Sequence, residues 1–233
     1  RVNSSRKENI PDDPLVKVLE LNLDKLKQLP DMVKGDFDTF YHFGWDGTFG
    51  NTRDNMQGQL NNIQYTLDAV ETADKLGCKT FVGAGSQAEY GRVEGKLTPN
   101  TPAFPENGYG IAKLAAGQMS RMLCSQKGIR HIWTRILSVY GPYDGENTMI
   151  MYTIRSLLNR EVPELTKGEQ RWDYIFSEDA GNAMYLLGEK GVDGKIYCIG
   201  SGKDRRLSEY MTHHLPAPES SPSAAYHNRW SSE

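Results

Sequence analysis

The sequence predicts an α/β fold, a doubly wound parallel sheet covered by helices, with a smaller lobe after it. Two observations predict it. Strand-like and helix-like stretches alternate from the beginning, and the character of the chain changes past Gly141-Pro142. At 233 residues the chain is long enough for one sizeable domain with a subdomain, whereas two independent domains would be cramped.

The elements follow in order. Leu15 to Leu21 is a short apolar run, expected as a strand, and Asp24 to Val33 is helical. Phe37 to Phe43 is the next strand and runs into the glycine-rich stretch Gly44 to Gly50. Arg53 to Leu76 carries Met56, Leu60, Ile63, Leu67 and Val70 at helical spacing, with Gly77 as a natural stop. Thr80 to Ala84 is a buried strand, Tyr109 to Lys127 a helix stopped by Gly128, and Ile129 to Leu137 a strand. Beyond the change of character come a helix at Met149 to Asn159, a strand at Trp172 to Phe176, a helix at Asp179 to Gly188 and a strand at Ile196 to Ile199. From Thr212 onward neither period is present and Pro and Ser abound, which predicts a disordered tail. The expected division is 1–145, 146–211 and 212–233.

Composition narrows the class of partner. Hydrophobic residues at 38% and charged residues at 24% are a globular balance, and a formal charge of -3 gives no reason to invoke nucleic acid or a membrane surface. A small molecule is the expected partner. Cys78, Cys124 and Cys198 stand apart with no metal-type spacing, which points to a reduced, cytoplasmic setting without a bound metal. No apolar run approaches the roughly 20 residues a spanning helix needs, and Arg1 to Pro14 is too polar for a signal peptide.

Three motifs carry chemistry. Tyr109 and Lys113 stand four apart on a helix, hence on one face, where an ammonium can favour the phenolate of a tyrosine that would otherwise titrate near ~10. Such a phenolate can take a hydroxyl proton while a hydride leaves the same carbon. The pair alone is weak evidence, since chance supplies one as often as not in a chain with 12 tyrosines. Context strengthens it. Phe81 to Gly91 is an apolar strand ending in small residues and Ser86, at the strand end where open α/β sheets bind ligands. Downstream, Thr134 to Pro142 is a second strand running into a turn.

Strand-Ser-x-x-x-Tyr-Gly, then Tyr-x-x-x-Lys, then Arg-x-x-x-Val-Tyr-Gly-Pro resembles the extended short-chain dehydrogenases, the NAD-dependent epimerase/dehydratase family of nucleotide-sugar enzymes, over roughly residues 15 to 211. The resemblance implies a Rossmann-like sheet, a nucleotide-sugar substrate, NADP or NAD as cofactor, and a homodimer formed through the helices at 53–76 and 109–127. It makes Ser86 the residue that hydrogen-bonds the reacting oxygen, Tyr109 the acid/base, and Lys113 the residue that holds the nicotinamide ribose and lowers the tyrosine pKa. Phe43, Gly44 and Trp45 would line the cofactor, Asn62 would stand near it, and Ile136 to Val139 would run past the carboxamide. Gln87, Ser138 and Tyr174 fall on the substrate side, where Trp172 replaces a family arginine and Arg171 is the substitute. Core roles for Trp45, Trp172 and Tyr174 are equally open at this stage.

Gly44, Gly47 and Gly50 imitate a dinucleotide fingerprint. The reading fails because the acidic residues that follow, Asp68 and Glu71, lie inside a helix rather than at the end of a second strand. Against the family pattern this segment follows the fourth strand. The chain is expected to begin about 30 residues into that pattern, beyond the glycine turn that seats a pyrophosphate. Arg1, Asn3 and Ser4 then match the strand end that meets the adenosine phosphate, which hints at NADP.

The family's dehydratases carry Asp-Glu after the serine or threonine. Here Gln87 and Ala88 occupy those positions and neither can do that proton work, so epimerase and 4-keto reductase rank above dehydratase. The reading from a different class is a non-catalytic NAD(P)-sensing or interaction protein on the same fold, or an inactive fragment.

Overall fold

A computed structural model describes residues 7–213. The positions Arg1, Asn3 and Ser4, and the stretch 214–233, lie outside the described residues. In chain order the elements are α1 (Leu29–Met32), β1 (Thr39–His42), α2 (Met56–Lys75), β2 (Thr80–Ser86), α3 (Gly108–Lys127), β3 (Arg130–Ile136) and β4 (Ser138–Tyr140). They continue with α4 (Met149–Leu158), β5 (Arg171–Trp172), β6 (Tyr174–Phe176), α5 (Ser177–Lys190), β7 (Ile196–Ile199), β8 (Arg205–Arg206) and α6 (Leu207–His213).

The chain divides into two units. The first runs to Leu137 and takes in Glu178–Ile199, and the second comprises Ser138–Ser177 and the described residues from Gly200. The segment 178–199, grouped by sequence with the smaller lobe, thus belongs to the first unit. The reason is a pairing: β7 lies parallel to β3, with Ile199 opposite Ile136.

The first unit holds a four-stranded parallel sheet in the order β1-β2-β3-β7. Strands β2 and β3 are buried almost throughout, with Phe81, Val82 and Ile132 wholly inside, as expected of parallel strands covered on both faces. A row of rings crosses the sheet from Phe40 to Phe81, His131 and Trp133, with successive centroids 6.0, 6.0 and 6.1 Å apart.

Helices α2 and α3 form because their apolar residues recur on one face and an asparagine starts each. Asn55 accepts the Gly58 amide and Asn107 the Gly110 amide through their side chains, the role this residue fills best at an N-cap. Helix α3 stops at Gly128, whose φ of +67° suits a glycine cap. Ala69, Val70, Ala73, Cys78, Phe81, Cys124 and Ile129 make one continuous core.

Leu15 to Leu21 does not form the expected strand. Among the described residues no neighbour completes its ladder, and Leu15, Val16 and Val18 are exposed. Asp24 to Val33 is a 3-10 turn over Leu23–Gln28 followed by the single helical turn α1. The second unit contains two small pairings, β4 with β6 in parallel and β5 with β8 in antiparallel, and the amphipathic helix α4. Among the described residues no helix is long and apolar enough to cross a membrane, and no cluster of His, Cys, Asp and Glu could hold a metal ion.

Candidate active site

Ser86 ends β2 and begins a tight turn over Gln87–Glu89. The turn is a capping box: Ser86 Oγ accepts the Ala88 amide at 3.2 Å, and Glu89 Oε1 accepts the Ser86 amide at 2.9 Å. This holds the serine at the carboxyl end of the sheet, opposite Ile136 in the register with β3.

Tyr109 and Lys113 come from the first turns of α3. The helix approaches the Ser86 turn closely because residue 110 is glycine; a Cβ there would stand 2.3 Å from the Ala88 carbonyl oxygen. The Tyr109 side chain then comes within reach of Ser86, which pulls the phenol's pKa down, and the Lys113 ammonium lies 5.7 Å from the Tyr109 ring centroid. The three residues singled out from sequence are together.

Their electrostatics differ from the expectation. Burial pushes the Tyr109 phenol above its ordinary range, while Ser86 and the Arg53 guanidinium pull it down and Glu89 adds to the rise. Arg53 is a cation that pulls the phenol down. Its guanidinium carbon lies 4.8 Å from the Tyr109 ring centroid. Lys113 is 4% exposed, donates to the Ala84 carbonyl at 2.5 Å, and has the Trp45 indole 3.8 Å from its nitrogen. Burial pulls its ammonium down to about 7, against a smaller pull upward from Glu89.

Two buried networks hold these groups. Behind Ser86, Glu89 is wholly buried and receives Trp133 Nε1 at 3.0 Å and Arg135 Nε at 2.8 Å, while Arg135 also lies over the Tyr90 ring. On the other side, Trp45 Nε1 donates to Gln59 Oε1 at 3.0 Å, and Gln59 Nε2 donates to the carbonyls of Gly47 and Thr52. Asn62 donates to the Asp46 carbonyl at 2.8 Å and accepts its amide at 2.9 Å. Its side chain, 1% exposed, is therefore taken up in fixing the loop after β1. At Gly44 a Cβ would meet only the tip of the Leu23 side chain, at 2.5 Å, and Phe43 is exposed with its ring stacked on Tyr41. Trp45 joins a buried cluster with Ala112, Ala116 and Trp133 and also meets Tyr109 edge-on at 6.0 Å, so its core and site roles coincide.

At Gly47, in the imitation fingerprint, a Cβ would stand 2.8 Å from the Thr52 carbonyl oxygen, so the loop's own backbone fills that space.

The other residues expected on the substrate side fall in the second unit. Ser138 accepts from Trp172 Nε1, Val139 is partly exposed in β4, and Arg171 is paired with Asp204. Tyr174 packs edge-on against Tyr140 and Tyr210, and burial pushes its phenol up to about 12. Gln87 is half-buried beside Ser86 in the first unit.

Sequence reasoning missed Arg53, Gln59 and Glu89. Only Glu89 had a local signal, the Ser-x-x-Glu spacing of a capping box.

A parallel sheet with helices over it, and a Ser-Tyr-Lys group at its carboxyl end, define a Rossmann-like α/β protein of the short-chain dehydrogenase class. The family model described as "NAD dependent epimerase/dehydratase family" matches residues 1–200, and the chain belongs to that family. It is 25% identical over 187 residues to the trifunctional UDP-glucose 4,6-dehydratase/UDP-4-keto-6-deoxy-D-glucose 3,5-epimerase/UDP-4-keto-L-rhamnose-reductase RHM1 of Arabidopsis thaliana, covering 76% of this chain and 28% of that one. Among solved structures, dTDP-glucose 4,6-dehydratase of Bacillus anthracis str. Ames in complex with NAD superposes with a TM-score of 0.77 at 21% identity, covering 90% of this chain and 66% of the other. RMD of Pseudomonas aeruginosa complexed with NADPH gives 0.75 at 20% identity, covering 83% and 69%. The chain thus spans little more than a quarter of the Arabidopsis protein.

Proposed function

We propose that this chain carries the proton-handling centre of a nicotinamide-dependent nucleotide-sugar epimerase or 4-keto reductase. The observation that carries the reading is the contact of Tyr109 with Ser86, with Lys113 on the same helix face. A dinucleotide fits the donor set on its nicotinamide side: Lys113 has three N–H groups and, among the described residues, the Ala84 carbonyl as its acceptor, so donors remain for ribose hydroxyls. When bound, a nicotinamide dinucleotide takes up or returns a hydride at the sugar carbon.

The chain's own part is the proton. Ser86 hydrogen-bonds the sugar oxygen, Tyr109 removes or returns that oxygen's proton, and Lys113 holds the cofactor ribose. The two solved structures named above are complexes with NAD and with NADPH, and both cofactors are candidates here. Dehydration ranks last because Gln87 and Ala88 stand where an acid and a base would be needed. Glu89, one position later, already accepts from the Ser86 amide, Trp133 and Arg135.

Ser138, Tyr174 and Arg171 are proposed sugar-nucleotide contacts of the second unit, and a homodimer is proposed through α2 and α3. Leu60, Ile111, Met119 and Met122 are exposed apolar residues on those helices. A monomeric mass in solution would count against the dimer.

Purified protein supplied with NADPH or NAD and a panel of 4-keto nucleotide sugars, with a parallel epimerisation assay, should turn over at least one sugar. Tyr109→Phe should reduce the rate at least a hundredfold, the lower end expected for loss of a general acid or base. Turnover unchanged in Tyr109→Phe, or none with any sugar, would remove the enzyme reading.

A further inference from the structure

Arg53 is a half-buried cation that no sequence motif marks. It lies in the short turn Gly50–Asp54 that precedes α2, and two contacts fix that turn against the start of α3. Asp54 Oδ1 accepts the Gly108 amide at 2.8 Å, and residue 108 must be small because a Cβ there would stand 3.0 Å from the Arg53 carbonyl oxygen. Arg53 is thereby held over the face of the neighbouring Tyr109 ring, 4.8 Å from its centroid. Its Nε is buried without a hydrogen-bond partner among the described residues. A buried donor of that kind costs stability unless another interaction offsets it, and the ring beneath it provides one.

We propose that Arg53 is a positioning residue for proton transfer at Tyr109, favouring the ionised phenol through its fixed charge over the ring. This rests on the reading of Tyr109 as the acid/base. Among the described residues, the charged and polar groups around Tyr109 come from three elements. Arg53 and Asp54 come from the turn before α2, Ser86 and Glu89 from the turn after β2, and Lys113 from its own helix. Glu89 opposes ionisation, but Arg135 is paired with it at 2.8 Å. The Asp54 carboxylate is turned to the Gly108 amide. The Lys113 ammonium is turned to the Ala84 carbonyl and the Trp45 ring. Arg53 is left as the cation nearest the ring face.

The test reads Tyr109 directly, without turnover. The ultraviolet absorbance change of phenolate formation, taken as protein minus Tyr109→Phe, isolates this one tyrosine from the others across pH 7 to 12. Arg53→Met should move its midpoint upward by about one pH unit, a tenfold change, as expected for losing a unit charge at this distance under partial solvent screening. Arg53→Lys should restore most of the shift. In turnover, the pH at which kcat/KM half-rises should move in the same direction. A midpoint unchanged in Arg53→Met, with circular dichroism showing both Arg53 variants folded, overturns the proposal. If the midpoint shifts while no sugar is turned over, the electrostatic role stands and the enzyme reading fails.

Discussion

The Lys113 ammonium lies between the Ala84 carbonyl, 2.5 Å away, and the Trp45 indole, 3.8 Å away, and is 4% exposed. No carboxylate takes it among the described residues, since Glu89 is bonded to Arg135. A cation buried this way is destabilised relative to water, which is why it falls to about 7 from 10.5.

Stability should therefore depend on pH through Lys113. Its folded value lies below its unfolded one, so between pH 10.5 and 7 the unfolded chain binds the extra proton, and stability falls as pH falls through that window. Lys113→Met lacks this slope. Urea unfolding should show the variant at least as stable as the parent at pH 6.5, with its advantage shrinking toward pH 10 while turnover is lost. An advantage that does not change with pH would refute the burial argument.

Trp45 is expected to hold the site as well as fill space. Trp45→Ala leaves a cavity and strips Gln59 Oε1 of its indole partner, and should cost roughly 3–5 kcal/mol in chemical denaturation. Trp45→Phe keeps an aromatic face for Lys113 but removes the indole N–H, and should cost less. Equal losses in the two variants would mean that the ring's packing against Lys113 and Tyr109 contributes nothing.

Acid should unfold the first unit through two histidines. Burial holds His42 at about 4, with Lys113 adding to the depression, and holds His131 at about 4. Both bind their proton more weakly folded than unfolded, so the stability their neutrality provides is lost as pH falls from 6.5 through 4. Each contributes about 3 kcal/mol to that loss. His42→Gln should flatten the acid limb of a stability curve measured from pH 7 to 4, and an unchanged limb would rule His42 out.

Local signals made part of this molecule legible. The helical spacing of Met56, Leu60 and Ile63, and the run from Tyr109 to a glycine stop, located α2 and α3 to within a few residues, because caps and periodicity are short-range. The Ser86, Tyr109 and Lys113 group was legible because each residue sits at a strand end or on a helix face whose direction is predictable. Other features depend on pairing with distant chain. Leu15 to Leu21 has strand composition but no ladder partner among the described residues. Ile196–Ile199 joins the first unit only by pairing with β3. Asn62 looks solvated in a helical pattern, yet Asp46, sixteen residues earlier, takes both ends of its amide. Arg53 gave no signal: the sequence placed it at the start of the helix, whereas it lies in the turn Gly50–Asp54 before α2, where no period marks the face it presents.

Glu89 and Arg135 set the last prediction, since the turn that carries Ser86 is built on their pair. The ion pair measures 2.8 Å, and the two side chains are 0% and 4% exposed. Removing one partner leaves the other charged and buried, so Arg135→Met should cost roughly 3–5 kcal/mol. Replacing both, as Glu89→Gln with Arg135→Met, should recover part of that loss, because no unpaired charge remains. Gly85 provides an independent check. A Cβ there would stand 2.3 Å from Glu89 Oε1 and 2.3 Å from the Thr134 carbonyl oxygen, so Gly85→Ala must displace either the carboxylate or a central strand. If the pair positions Ser86 as well as stabilising the fold, Gly85→Ala should lower kcat more than the thermal midpoint of the folded variant would suggest. A variant of Gly85 with parental stability and turnover would show that the close packing around Glu89 is dispensable.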